Sequence, residues 1–296
     1  MSSDTMAWTS NDLPPFTGRT VVVTGANSGL GLVAASQFAR VGAKVVLAVR
    51  NTSKGEEAAA SIDGDTEVRR LDLADLSSVR AFADEWSGDI AVLVNNAGVM
   101  NVPEGRTVDG FETQIGTNHL GHFALTNLLL PHITDRVVTM SSMMHRSGRI
   151  DLGDLNWERR NYNRVAAYGQ SKLANLMFSL ELQRRLTATG STVRSLAAHP
   201  GYAATNLQTR TDNVVLDWGG RLGNKLIAQS AEAGTWPMLF AASQDLPGGS
   251  YAGPDKLNET RGHPALAGRT ARASDLSMCA ALWDLSEELT AVSFPH

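Results

Sequence analysis

Tyr168 and Lys172 stand four positions apart in Tyr168-Gly169-Gln170-Ser171-Lys172, a spacing that puts two side chains on one face of a helix. A phenol has an ordinary pKa of about 10 and is a weak acid–base group near neutrality. A neighbouring ammonium, together with the positive charge of an oxidised nicotinamide, would stabilise the phenolate and draw that pKa toward the working range. The pair therefore suits proton exchange with a substrate oxygen. By itself the pattern is common on surface helices. It gains weight from Ser141-Ser142, which ends a preceding apolar run, and from a glycine-rich loop near the start of the chain.

That loop is Thr24-Gly25-Ala26-Asn27-Ser28-Gly29-Leu30-Gly31, lying between an apolar run and a helix-like stretch. Gly25 can turn sharply out of a strand, Gly29 lets backbone approach a pyrophosphate, and Gly31 allows close packing of helix on sheet. The helix start then offers free N–H groups and partial positive charge to phosphates. Dinucleotide binding follows, with Gly25, Asn27, Ser28, Gly29, Leu30 and Gly31 as contacts. The second apolar run ends in Val49-Arg50-Asn51. An acidic residue there would hold the 2′-hydroxyl of NAD. Val49 cannot do so, whereas Arg50 can fork onto a 2′-phosphate, so NADP(H) is the expected cofactor, with Arg50 and Asn51 beside its adenosine ribose. At the ends of the third and fourth runs, Asp72-Leu73 offers a carboxylate to the adenine amino group, and Asn96-Ala97-Gly98 offers small residues against adenine and ribose.

Several elements must position these groups. Val-rich, nearly continuous runs occur at Thr20–Val23, Lys44–Val49, Glu67–Leu71, Ile90–Val94, Arg136–Met140, Thr192–Ala197 and Ser250–Ala252, as expected of parallel strands covered on both faces. Helical stretches alternate with them at Gly29–Val41, Lys54–Ser61, Leu76–Trp86, Gly110–Leu130, Val165–Thr189 and Ala231–Ser243, and Asp275–Val292 reads as a last helix. The expectation is an α/β fold: one doubly wound, Rossmann-like parallel sheet of about seven strands with helices on both faces. Residues 1–17 read as a flexible leader, residues 18–296 as one NADP-binding catalytic domain, and residues 206–228 as a lid insertion over the substrate.

The 296 residues are 43% hydrophobic and 19% charged with a formal charge of −4. Such a chain can bury a large core and has no electrostatic reason to bind nucleic acid or anionic membranes. No apolar run approaches the roughly 20 residues of a membrane span. Met1–Asp12 lacks the basic and apolar regions of a signal peptide. The single cysteine, Cys279, excludes an intrachain disulfide and fits a reducing compartment, so a cytoplasmic location is expected. His119 and His122 form an H-x-x-H pair, but with no carboxylate nearby in sequence they read as residues that pack or that support the site from behind it, and no metal is expected. Trp218, Trp236 and Trp283 read as core anchors. Met143 and Met144 could line an apolar pocket.

Taken together, these motifs resemble the short-chain dehydrogenase/reductase family over nearly the whole chain from Gly18. The features that carry the resemblance are Thr24–Gly31, Asp72, Asn95–Gly98, Asn118, Ser142, Tyr168, Lys172 and His199-Pro200-Gly201. The retinol-dehydrogenase-like and protochlorophyllide-reductase-like branch is the most similar. Its marks here are Arg50-Asn51, Asn118-His119-Leu120-Gly121-His122-Phe123, Gly148–Trp157 and Ser171-Lys172-Leu173-Ala174-Asn175. The resemblance implies Tyr168 as general acid/base and Ser142 as hydrogen-bond donor to the substrate oxygen. It implies that Lys172 holds the nicotinamide ribose and lowers the Tyr168 pKa, and that Asn118 anchors a water of the proton relay. Pro200, Gly201 and Thr205 would contact the nicotinamide end. Tyr168 follows Ser142 by 26 positions, longer than the family's usual interval, because residues 146–165 are inserted. A homodimer or homotetramer through the helices at Gly110–Leu130 and Val165–Thr189 is also implied. The expected reaction interconverts a carbonyl and an alcohol on a lipophilic small molecule. Reduction of a carbon–carbon double bond and a non-catalytic NADP-binding redox sensor are the alternatives.

Overall fold

Short Val-rich runs lose both faces to packing, and this organises the chain. In β1 (Thr20–Thr24) and β2 (Lys44–Val49), Val21, Val23, Val45 and Leu47 pack on one side of the sheet, while Val22 and Val46 pack on the other. The protein's structure, a computed structural model, describes residues 7–202 and 230–295. The remaining strands are β3 (Thr66–Arg70), β4 (Ile90–Asn95), β5 (Ile133–Met140), β6 (Arg194–Ala198), β7 (Tyr251–Lys256) and β8 (Arg261–Leu266). Their order is β3-β2-β1-β4-β5-β6-β7-β8, parallel through β7 and antiparallel at β8. This is the doubly wound, Rossmann-like sheet expected. The direction of winding reverses between β1 and β4, which opens a crevice at the strands' carboxyl ends. Thr24, Val49, Asn95, Met140 and Ala198 line up along that rim through the parallel registers.

The helices are α1 (Gly29–Arg40), α2 (Thr52–Ala59), α3 (Leu76–Asp84), α4 (Thr113–Ile115), α5 (Gly121–Leu129), α6 (Arg164–Ala188), α7 (Ala231–Ser243) and α8 (Leu276–Thr290). Asx caps start several of them: Asn51 on α2, Asp75 on α3, Asn163 on α6 and Asp275 on α8 each accept at least one first-turn amide.

Three expectations need correction. The strand count is eight, because Arg261–Leu266 pairs antiparallel with β7 despite its Gly262 and Pro264. The turn before β8 places Leu257, Asn258 and Glu259 at φ of 49°, 53° and 65°. The helix expected over Gly110–Leu130 is broken by a π turn, Gly116–Leu120, between α4 and α5. The stretch expected to be a flexible leader is packed over its described part. Thr9 and Asp12 form a capping box, Leu13 and Phe16 enter the core, and Trp8 meets Phe240 edge-on. Part of the surface of the helices expected to carry a homodimer or homotetramer is also packed by α8 of the same chain. Trp283 packs 4.8 Å from Phe123 of α5 and stacks on Phe178 of α6 at 5.6 Å. The expected lid at residues 206–228, including Trp218, lies outside the described residues. Among the described residues, no helix is long and apolar enough to cross a membrane.

Trp283 is 2% exposed and touches three aromatic rings, those of Phe123, Phe178 and Phe294. Trp283→Ala should destabilise the fold by about 3–5 kcal/mol, as large-to-small core substitutions do. Thermal denaturation checks this, and an unchanged midpoint would show that the ring does not anchor α8.

Candidate active site

The loop after β1 has the backbone its glycines were expected to give. Gly25 and Gly29 sit at φ of 67° and 55°, the left-handed region that glycine enters at little cost. A Cβ on Gly25 would lie 3.0 Å from Ala97 Cα, and one on Gly31 would lie 2.5 Å from both the Gly25 carbonyl oxygen and Asn96 Nδ2. Backbone thus takes the space that side chains would fill. Ser28 caps α1 in extended conformation but makes no side-chain cap hydrogen bond, so the first amides of the helix face the crevice unclaimed by it. These features fit a pyrophosphate. Across the crevice, Thr24 Oγ1 accepts the amides of Asn96 and Ala97 at 2.9 Å each, and Asn96 Nδ2 returns a hydrogen bond to the Thr24 carbonyl at 2.8 Å.

Around this loop the other expected cofactor residues fall along the same rim. Arg50 is exposed at the end of β2 and makes no ion pair among the described residues, leaving its guanidinium available. Asn51 is committed to capping α2 through Lys54 N at 3.0 Å. Asp72 accepts from Ala74 N at 3.0 Å through one carboxylate oxygen, and its other oxygen has no such bond among the described residues. The Leu73 side chain goes to the core instead, and its carbonyl lies 2.4 Å from where a Cβ on Gly121 would stand, so only its backbone remains for a ligand. Gly201, at φ 64°, packs under the Thr260 carbonyl, with Pro200 before it. Thr205 lies outside the described residues.

The groups expected to do acid–base chemistry converge from two elements. Tyr168 and Lys172 lie on one face of α6, with Lys172 Nζ 5.7 Å from the Tyr168 ring centre. Lys172 Nζ donates to the Met140 carbonyl at 3.2 Å, which tethers the ammonium to the end of β5. Ser141 is buried and gives its hydroxyl to the Lys172 carbonyl at 2.8 Å. Ser142, half-buried, begins a short 3₁₀ turn (Met143–Arg146) and is the serine whose hydroxyl reaches Tyr168. Gly98 closes the group: a Cβ there would lie 3.0 Å from Asn118 Oδ1 and 3.5 Å from Lys172 Nζ.

Asn118 sits in the π turn, a feature often found where a helix serves a site. Its side chain is fully engaged. Oδ1 accepts from Val99 N at 2.8 Å, and Nδ2 donates to Val99 O and Ser171 Oγ at 2.9 Å each. The amide therefore clamps the segment after β4 to α6.

Burial sets the electrostatics. It pushes Tyr168 up to about 12, with the Ser142 hydroxyl drawing it partly back, and it pushes Lys172 down to about 8. Loss of water around a buried phenolate is the largest cause of that rise, and the lowered value expected for Tyr168 needs the charge of a bound oxidised nicotinamide as well as the amine. At neutral pH the site holds a protonated phenol.

The partners of the two H-x-x-H histidines escaped the sequence. His119 Nε2 pairs with Ser286 Oγ of α8 at 2.9 Å, whereas His122 turns the other way, to Thr24 Oγ1 at 2.9 Å and the Asn118 carbonyl at 3.0 Å. Among the described residues, no group of three or more His, Cys, Asp or Glu side chains is placed to hold a metal ion. His199, fully buried, accepts the Gly201 amide at 3.2 Å and lies 3.3 Å from Glu259, which also pairs with Arg146 at 2.8 Å. The β7–β8 turn thereby braces both the segment before Pro200 and the turn after Ser142. Nothing in the sequence signalled Glu259. The inserted residues 146–165 are likewise packed: Arg160 pairs with Asp154 at 2.9 Å and lies over the Trp157 ring, and Tyr162 donates to Glu112 at 3.1 Å.

A glycine-lined crevice with a serine, tyrosine and lysine at its mouth defines a dinucleotide-dependent oxidoreductase fold, and comparison with known proteins gives the family. Residues 19–214 match the short chain dehydrogenase profile. The chain is 49% identical over 206 residues to human retinol dehydrogenase 13, covering 66% of this chain and 62% of that protein, just under two thirds of its length. It is 42% identical over 241 residues to mouse retinol dehydrogenase 12, covering 77% and 75% respectively. It is also similar to the crystal structure of an uncharacterised protein from Mycobacterium paratuberculosis, with 58% identity, a TM-score of 0.87, and 98% and 100% of the two chains covered. The chain belongs to the short-chain dehydrogenase/reductase family, on its retinol-dehydrogenase-like branch. It is therefore a member of a nicotinamide-dependent oxidoreductase family.

Gly31→Ala would drive a methyl against the Gly25 carbonyl, which is backbone and cannot swing aside. The variant should raise the dissociation constant for the nicotinamide cofactor by about tenfold or more, about 1.4 kcal/mol. Fluorescence titration measures it, and an unchanged constant would show that this close approach does not shape the phosphate cradle.

Proposed function

We propose that the protein is an NADP(H)-dependent reductase/dehydrogenase that interconverts a carbonyl and an alcohol on a lipophilic small molecule, with Tyr168 as the general acid/base. The observation that carries this reading is the convergence of Tyr168, Ser142 and Lys172 beside Gly98 at the crevice mouth. The nicotinamide, when bound, supplies or accepts the hydride. The chain's own groups handle the oxygen. Tyr168, held protonated by its burial, gives its proton to the carbonyl oxygen in reduction and takes it back in oxidation. Ser142 donates a hydrogen bond to the same oxygen and stabilises the charge that develops there. Lys172, fixed by the Met140 carbonyl, places a positive charge beside the phenol, where it would hold the nicotinamide ribose.

Arg50 supports NADP(H) over NAD(H), since a free guanidinium at the end of β2 suits a 2′-phosphate. The Met143-Met144 pair after Ser142 and the relatives' name, retinol dehydrogenase, support an apolar substrate.

Tyr168→Phe tests the chemistry. Carbonyl reduction, followed by NADPH absorbance across aldehydes, ketones and retinoids, should fall by two orders of magnitude or more, about 10²-fold, while the affinity for NADPH survives. Equal effects on both, or on neither, contradict the role given to the phenol. Arg50→Ala tests the cofactor. It should weaken NADPH binding by roughly 1–3 kcal/mol, the scale of a lost charged hydrogen bond, and leave NADH nearly unchanged. A wild-type protein that prefers NADH would overturn this assignment.

A further inference from the structure

His122 is 1% exposed, and its two ring nitrogens touch two different parts of the site. Nδ1 lies 3.0 Å from the Asn118 carbonyl oxygen, which can only accept, so Nδ1 carries the hydrogen. Burial pushes the ring down to about 4, so it is neutral at working pH, and Nε2 must then accept. Thr24 Oγ1, 2.9 Å away, is the donor, the other acceptor in range of its hydrogen, the Val94 carbonyl, being farther at 3.4 Å. The same oxygen accepts the amides of Asn96 and Ala97, which fills its two lone pairs. The opposite tautomer would set a lone pair against the Asn118 carbonyl and a third donor against Thr24. One arrangement alone satisfies every group.

We propose that His122 is a positioning residue that locks the two halves of the site together, its Nε2 holding the Thr24 hydroxyl of the phosphate loop and its Nδ1 holding the Asn118 carbonyl of the π turn. The Thr24 hydroxyl gathers Asn96 and Ala97 against the loop. The π turn sets where Asn118 Oδ1 meets Gly98 and, through Ser171, where α6 presents its lysine. The proposal rests on the activity proposed above, since it assigns one ring edge to cofactor binding and the other to catalysis.

Two substitutions separate the edges. His122→Asn keeps a donor at the place of Nδ1 but cannot reach Thr24. His122→Gln extends an amide to the place of Nε2 and gives up the donor near Asn118. The asparagine variant should raise the Kd for NADPH about tenfold, the loss of one buried hydrogen bond, with kcat held within about twofold. The glutamine variant should show the reverse, an NADPH Kd within about twofold and a kcat lowered about tenfold. Thr24→Val, which also strips the Asn96 and Ala97 amides of their acceptor, should weaken NADPH at least as much as the asparagine variant, and adding His122→Asn to Thr24→Val should bring no further loss, while Thr24→Ser should keep wild-type affinity. Identical effects of Asn and Gln, or additivity of Thr24→Val with His122→Asn, would overturn the proposal. Should either histidine variant fail to fold, the Thr24 pair decides on its own: equal NADPH affinity for Val and Ser would refute it. The affinity measurements need no substrate. A wild-type protein that binds NADPH but reduces no carbonyl would therefore sink the proposed activity, while those titrations still judge the cofactor-side edge of His122.

Discussion

The site depends on how closely the ends of β1 and β4 approach one another. Gly25 meets Ala97 with no room for a side chain, Gly31 sits under the Gly25 carbonyl, and the Thr24 hydroxyl receives two amides from the end of β4. This contact closes the crevice floor at the point where the winding of the sheet reverses. It also fixes Gly98, and Gly98 in turn sets the spacing of Asn118 and Lys172. A wider gap would leave the amides at the start of α1 and the groups of α6 without a common ligand.

Burial is the second constraint, and it acts on charge. Lys172 and Tyr168 lose water together, so both are pushed toward their neutral forms. The ammonium is supported by a carbonyl and not by a carboxylate. Such an arrangement keeps the positive charge available to a neighbour, because among the described residues no carboxylate pairs with it. The carboxylate nearest in role, Glu259, is used elsewhere, against Arg146 and His199.

Much of the sheet and most of the site were legible in the residues. Continuous Val-rich runs can serve only as strands covered on both faces, and glycine at 25, 29 and 31 leaves a backbone pattern with few uses. The failures have physical causes. β8 was hidden because Arg261-Gly262-His263-Pro264 is polar and carries a strand-breaking residue; it is held by its partner and not by its own pattern. The π turn was hidden because one extra residue per turn leaves composition untouched. The leader misled because Ser, Thr, Asp and Pro resemble a loop, although Thr9 and Asp12 form a cap and Phe16 finds the core. The burial that raises the Tyr168 pKa was likewise hidden, because spacing reports which groups are neighbours, not how much water they lose. His122 and Glu259 carry no local signal, since their partners are distant in the chain.

The placement of α8 has a consequence for how the site keeps its order. The helix that carries Tyr168 and Lys172 is stacked through Phe178 on Trp283 of the same chain, and Arg185 reaches Asp284 at 3.3 Å. That brace is unimolecular. Its strength answers to temperature and denaturant, whereas a brace supplied by a second subunit would weaken on dilution by mass action.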